Sequence, residues 1–224
     1  KGLRGFTVVV VIGRSKIDFN YPRKFRAIIG SRNASPELLK VAFDFARQSV
    51  QRGYIVVSGL ARGIDTAAHQ GALSVEGDFV KTVAVLSTSP DERIYPPENE
   101  QLAYQIRLYG ATIHPFITRA KWERGVRFGQ PQKRLVERDV LQAVISNEIY
   151  VVADGFVDGG SRWAVNYGKY FGVPVYRLGS ERVIYSSFDY RVEPKLIPWG
   201  MELDWGQALR SLRDGSYDFR QVLG

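Results

Sequence analysis

Tyr54-Ile55-Val56-Val57-Ser58-Gly59-Leu60-Ala61-Arg62-Gly63-Ile64-Asp65 is the stretch from which the fold is read. Tyr54 to Val57 has the β-branched, apolar character of a buried strand, and Ser58 to Gly63 is a glycine-containing turn. A helix is expected from about Asp65 to Leu73. Upstream, Arg26 to Gly30 reads as another short strand. Ser35, Pro36 and Glu37 then supply a helix cap, a favoured first helical residue and a first-turn acid. Leu38, Leu39, Ala42, Phe45, Ala46 and Val50 recur at helical spacing up to Gly53, which ends that helix. Downstream, Thr82 to Leu86 is the next strand. The order strand, helix, strand, helix, strand predicts an α/β fold, a parallel sheet wound by helices on both faces.

The alternation continues. Glu100 to Tyr109 reads as a helix stopped by Gly110, Ala111 to Ile113 as a short strand, and Gln132 to Val144 as a helix. Ile149 to Val152 is a strand, Asp154 to Ser161 a loop, Arg162 to Phe171 a helix and Val173 to Arg177 a strand. Thr7 to Ile12 forms a first strand ending at Gly13, and a last helix lies around Trp205 to Leu212. No Pro/Gly/Ser linker separates two cores. One domain over 1–224 is expected, with 1–20 as an additional N-terminal strand segment and 181–224 as a C-terminal edge and last helix.

The 224 residues carry 31 Lys plus Arg against 23 Asp plus Glu, a net charge of +8 that makes polyanions plausible partners. With 45% hydrophobic and 24% charged residues, the composition excludes a disordered or collagenous chain. There is no cysteine, hence no disulfide, thiolate metal site or cysteine nucleophile. Val8 to Ile12, the longest apolar run near the start, is far short of the roughly 20 residues of a membrane span. No membrane association is expected, and the cytoplasm is the expected location. His69 and His114 are the two histidines and lack partners for a common metal site, so neither metal nor cofactor is expected. His69 reads as a hydrogen-bonded structural residue rather than a catalytic base.

Three loops follow strands where wound sheets bind ligands: Gly30-Ser31-Arg32, Ser58 to Asp65, and Asp158-Gly159-Gly160-Ser161. Glycine lets backbone N–H groups approach a phosphate, a helix N-terminus adds partial positive charge, and Arg32 and Arg62 supply paired donors. The same glycines also suit plain tight turns. Neither Gly-x-Gly-x-x-Gly nor a Gly-Lys-Ser/Thr phosphate loop occurs, which disfavours a nicotinamide enzyme and a nucleotide-driven motor or kinase. Arg119, Lys121, Arg124, Arg127, Lys133, Arg134 and Arg138 face Glu123, Glu137 and Asp139 in one basic strip, with Trp122 and Phe128 among them. Cations interleaved with aromatics suit single-stranded nucleic acid, whose phosphates pair and whose bases stack. A second basic cluster holds Arg14, Lys16, Arg23, Lys24, Arg26 and Arg32.

Gly30-Ser31-Arg32, Ser58-Gly59-x-Ala61-x-Gly63-Ile64-Asp65, Ala67-Ala68-His69, Gly71-Ala72-Leu73 and Ile94-Tyr95-Pro96-Pro97-Glu98-Asn99 together resemble the DprA/Smf family of DNA-processing proteins. The likeness runs from about Tyr21 to about Leu212. It implies a Rossmann-like core that binds single-stranded DNA without cutting it, forms a homodimer and assists loading of a RecA-type recombinase in transformation or recombination. No enzymatic activity is implied. Carried over by position, Gly30, Ser31 and Arg32, the turn residues Ser58, Gly59, Arg62 and Gly63, and Gly159, Gly160 and Ser161 would grip phosphates. Lys133, Arg134 and Arg138 would form the other wall, and Phe128 or Trp122 would stack on bases.

The chain departs from the family where Phe-Pro-x-Arg-Asn-Arg is usual, since only Arg138 of Lys133 to Val140 aligns. The family's C-terminal winged-helix module is not evident. Two rival readings share the fold. One is a nucleotide-binding or signalling module; the other is a phosphoribohydrolase of the lonely-guy type. The hydrolase motif survives only as Gly159-Gly160, with Asn166 where its glutamate belongs, so glycosidic chemistry lacks its acid.

Overall fold

The protein's structure, a computed structural model, describes residues 9–13, 17, 24–115, 130–190 and 218–220. The strands are β1 (Val10–Gly13), β2 (Lys24–Gly30), β3 (Tyr54–Ser58), β4 (Thr82–Val85), β5 (Gly110–His114), β6 (Glu148–Val152), β7 (Val175–Leu178), β8 (Ile184–Tyr185) and β9 (Asp218–Arg220). The helices are α1 (Pro36–Gln51), α2 (Ile64–Leu73), α3 (Glu100–Leu108), α4 (Gln130–Val144) and α5 (Ser161–Tyr170). Among the described residues one nine-stranded sheet forms in the order β8-β7-β6-β2-β3-β4-β5-β1-β9. Strands β7, β6, β2, β3, β4 and β5 are mutually parallel, as the alternation predicts.

Local signals act as read. Ser35 caps α1 by accepting from the Leu38 amide at 3.4 Å, and Gly53 takes a left-handed φ of 83° just beyond the helix. Along β2 the side chains alternate between two cores. Phe25, Ala27 and Ile29 face the cluster that contains Val140, Leu141 and Val165 of α4 and α5. Ile28 faces the opposite cluster, with Val41 and Ala42 of α1 and Ile64 and Ala68 of α2. Helices therefore cover both faces.

The first strand, expected over Thr7 to Ile12, forms as β1 and lies outside the parallel set: it pairs antiparallel with β5, Val11 opposite Ile113, and parallel with β9. The wound order begins at β2, and β3 and β6 beside it likewise send alternate side chains into the two helical layers. The helix expected around Trp205 to Leu212 lies outside the described residues. At the other edge, β8 adds antiparallel to β7.

Part of the second basic cluster is structural. Arg26, near the start of β2, is buried, donates to Glu148 at 2.8 Å and to Ser49 at 2.9 Å, and lies 3.7 Å from the Tyr54 ring centroid. Lys24 lies over the same ring. Both sit at the amino end of β2, away from Arg32 at its carboxyl end.

Candidate functional site

β2 lies between β3 and β6, and the chain winds outward from it in both directions. Connections leaving the carboxyl ends of β2 and β6 therefore diverge, which opens a crevice at the topological switch point. A cavity of about 790 Å³ occupies it. The Gly30-Ser31-Arg32 loop, the α4 residues Leu135, Arg138 and Asp139, and the Gly159-Gly160-Ser161 turn form its walls.

The three glycine loops are unlike. In the first, Arg32 is exposed at the cavity wall, while the Ser31 carbonyl accepts from the Ile64 amide at 3.2 Å. In the second, Asp65 accepts from the amides of Gly59 and Ala61, each at 3.2 Å, so a carboxylate of the chain already occupies the donors read as phosphate ligands. Ser58 is buried and donates to the Ile28 carbonyl at 2.7 Å. Gly63 has φ 72°, and a Cβ there would lie 2.3 Å from the Ser31 carbonyl oxygen, which fixes glycine at the junction of the two loops. Arg62 is exposed and paired with Glu98.

The third loop is open. A Cβ at Gly159 or Gly160 would meet nothing within 4 Å. Gly160 precedes α5 with no side-chain cap, and Ser161, Arg162 and Trp163 of the first turn line the cavity. Uncapped amides at a helix start, across the cavity from an exposed arginine, suit an anion. Arg162 is held by Asp158 at 3.2 Å on the rim.

Arg138 is buried, a different place from the exposed strip in which the sequence puts it. Its guanidinium donates to the Gly59 carbonyl and, at 3.3 Å, to that of Val85, and lies 3.0 Å from Asp139. A Cβ on residue 59 would fall 1.6 Å from the Arg138 Nη1, so any side chain there would have to displace the guanidinium that crosses the glycine. Asp65 and Asp139 flank this cation. Burial pushes the Asp139 carboxyl up to about 7, against the pull of Arg138 and with the push of Asp65. Burial also raises Asp65, opposed first by Arg138. Arg134 is likewise buried and pairs with Glu92 at 3.1 Å. Lys133 lies on α4, and Trp122 and Phe128 lie outside the described residues.

Sequence reading missed the carboxylates: Asp65 and Asp139 at the cavity, Glu92 against Arg134, and Glu98 against Arg62. For Asp65 there was a signal, an aspartate in the first turn after a glycine loop, where a short carboxylate reaches loop amides.

His69 stands apart from the cavity. It is fully buried on α2, with Nδ1 2.8 Å from Thr82 Oγ1. The Thr82 hydroxyl donates to the Val56 carbonyl at 2.9 Å, so Nδ1 carries the imidazole proton. Burial, then Arg138, lowers this pKa to about 3. A folded value below the unfolded one gives stability that is present above about pH 6.5 and lost as pH falls toward 3. His69→Asn retains a donor toward Thr82 without the titration. Between pH 7 and pH 5.5 the variant is expected to lose less stability than the parent, by on the order of 1 kcal/mol in urea unfolding. Equal losses would show that His69 titrates normally.

Known proteins bear on this geometry. The model of the DNA recombination-mediator protein A family matches residues 7–182. The chain belongs to this family. The putative DNA processing protein DprA of Mycobacterium tuberculosis is 33% identical over 165 residues, 72% of this chain and 39% of that protein. Protein Smf of Synechocystis is 39% identical over 98 residues, 44% of this chain and 24% of that protein. The chain thus spans between a quarter and two fifths of these curated relatives. Among solved structures, DNA processing protein A of Helicobacter pylori, described for its single-stranded DNA binding mode, superposes with a TM-score of 0.61. The identity is 20%, over 93% of this chain and 80% of that one. The Streptococcus pneumoniae protein gives 0.56 at 23% identity, over 88% and 58%. Both share the Rossmann-like wound sheet. Among the described residues no helix is long and apolar enough to cross a membrane.

Proposed function

We propose that this chain binds single-stranded DNA in the switch-point cavity, with a phosphate held between Arg32 and the open Gly159-Gly160-Ser161 turn. The observation that carries the reading is this pairing of an exposed arginine with an uncapped helix start across one cavity, in a DNA recombination-mediator family member. Contacts to phosphates through backbone amides and one guanidinium give little base selectivity. In this reading Arg138 and Arg134 set the shape of the wall rather than touching DNA, Lys133 is a further phosphate ligand, and Phe128 or Trp122 supplies stacking. The chain does no chemistry on the strand. It acts in the cytoplasm as a homodimer that passes DNA to a RecA-type recombinase.

Support for a non-catalytic role comes from the side chains. Both histidines are buried and held neutral, His114 at about 4 by burial, and neither lines the cavity. Asn166, at the position of the hydrolase glutamate, is buried within α5.

Fluorescence anisotropy with labelled single strands of several lengths, a matched duplex and free mononucleotides, at two salt concentrations, tests the proposal. The expected result is tighter binding to longer single strands than to duplex, weakened by salt. Saturation by a mononucleotide with no gain from length would overturn it and favour a nucleotide-sensing cavity.

A further inference from the structure

We propose that the ledge beside the cavity is a second nucleotide subsite, in which a base stacks on Tyr95 and the adjoining phosphate displaces Glu98 from Arg62. The inference rests on the DNA-binding reading above and extends the strand's path beyond the cavity. A shallow depression walled by Ser87, Tyr95 and Pro96 shares Arg32, Ala61, Leu135 and Arg138 with the main cavity, so the two form one groove. A strand gripped at Arg32 has this ledge as its continuation.

Tyr95 is 49% exposed, although its neighbours Ile94 and Pro96 are buried. Its position is set from below. Asn99 donates through Nδ2 to the Leu60 carbonyl at 2.9 Å and to Thr66 Oγ1 at 2.8 Å, pinning residues 94–99 against the second glycine loop. An aromatic ring held at a groove wall by buried neighbours is a preformed platform, and stacking on such a ring tolerates any base.

Arg62 and Glu98 form an ion pair with both side chains about half exposed, 52% and 49%. A pair so wetted contributes little to folding, and its cation can exchange one anion for another. Arg62 and Tyr95 line the same depression, so the cation and the ring share one subsite. A phosphate one step from the base on Tyr95 can replace the Glu98 carboxylate with a similar charge-assisted hydrogen bond.

Oligothymidylates of graded length and thymidine monophosphate are the probes. Tyr95→Ala is expected to weaken binding of the longer oligothymidylates by about tenfold, a typical value for one stacked base, while leaving the monophosphate unchanged. Tyr95→Trp is expected to retain affinity and to show DNA-dependent fluorescence quenching beyond that of the parent. Glu98→Gln, isosteric and at an exposed pair, is expected to tighten oligothymidylate binding, a gain that loss of structure does not produce. Unchanged affinity in Tyr95→Ala and Glu98→Gln, with the parent binding long strands tightly, overturns the second subsite and leaves the cavity reading standing. No strand binding by the parent overturns both.

Discussion

Arg138→Ala is expected to lower the unfolding free energy by about 3–5 kcal/mol, the range for removing one partner from a buried ionic cluster. The size follows from what the guanidinium satisfies. It links α4 to the carboxyl ends of β3 and β4 through the Gly59 and Val85 carbonyls and offsets the buried Asp65 and the partly buried Asp139. Without it the two acids face each other at the cavity with no cation between them, across a space that a methyl group does not fill. Arg138 lowers the Asp139 pKa, so its removal drives that value further above 7 and leaves the acid protonated at neutral pH. Adding Asp139→Asn to the variant is therefore expected to restore part of the lost stability, a non-additivity characteristic of one network. Urea unfolding of the two single variants and the double variant measures it. A loss below about 1 kcal/mol combined with abolished DNA binding would instead make Arg138 a direct DNA ligand.

The same arginine shows where sequence reading stops. The strand and helix alternation, the Ser35 cap and the positions of all three glycine loops were legible because they depend on residues within a few positions of one another. The assignment of cations was not. Arg138 meets Gly59 across 79 positions, Arg134 meets Glu92 across 42, and Arg62 meets Glu98 across 36. These distances are set by the order of strands in the sheet, which local spacing does not encode. Seven basic residues near α4 read as one strip, yet the fold buries two of them, Arg134 against Glu92 and Arg138 between Asp65 and Asp139. Likewise, Gly59 with a nearby arginine suits both a phosphate cradle and a self-clamped turn. Only tertiary packing tells that Arg138 lies across the glycine and that Asp65 takes the amides. β1 is the parallel case in the sheet: its apolar run identifies a buried strand, but not that its partner is β5 in antiparallel register.

Arg32→Ala is expected to weaken single-stranded DNA binding by about 1.5–3 kcal/mol, the value of a hydrogen bond to a charged group, with little change in stability. Unlike Arg138, the Arg32 side chain is exposed, so its removal leaves no buried group unsatisfied. The cavity adds a pH dependence whose sign is fixed by Asp139. Its carboxyl titrates near 7 and senses the Arg32 charge. Below that value the acid is neutral and the cavity more positive; above it the carboxylate repels a phosphate and competes for Arg32. DNA affinity is therefore expected to fall as pH rises from 6 to 8, with proton uptake on binding in that window. For folding, a value of about 7 against 3.8 in the unfolded chain gives a contribution present below about pH 3.8 and lost as pH rises through 7. Asp139→Asn, neutral throughout, is expected to bind DNA at pH 8 about as tightly as at pH 6. In the Arg32→Ala background the parent's pH slope is expected to shrink, because the acid then has one fewer cation to compete for. Anisotropy titrations at three pH values, on the parent, the two single variants and their combination, measure both effects together. A pH slope unchanged by Asp139→Asn would place the phosphate away from the cavity floor, and unchanged affinity in Arg32→Ala would remove it from the cavity altogether.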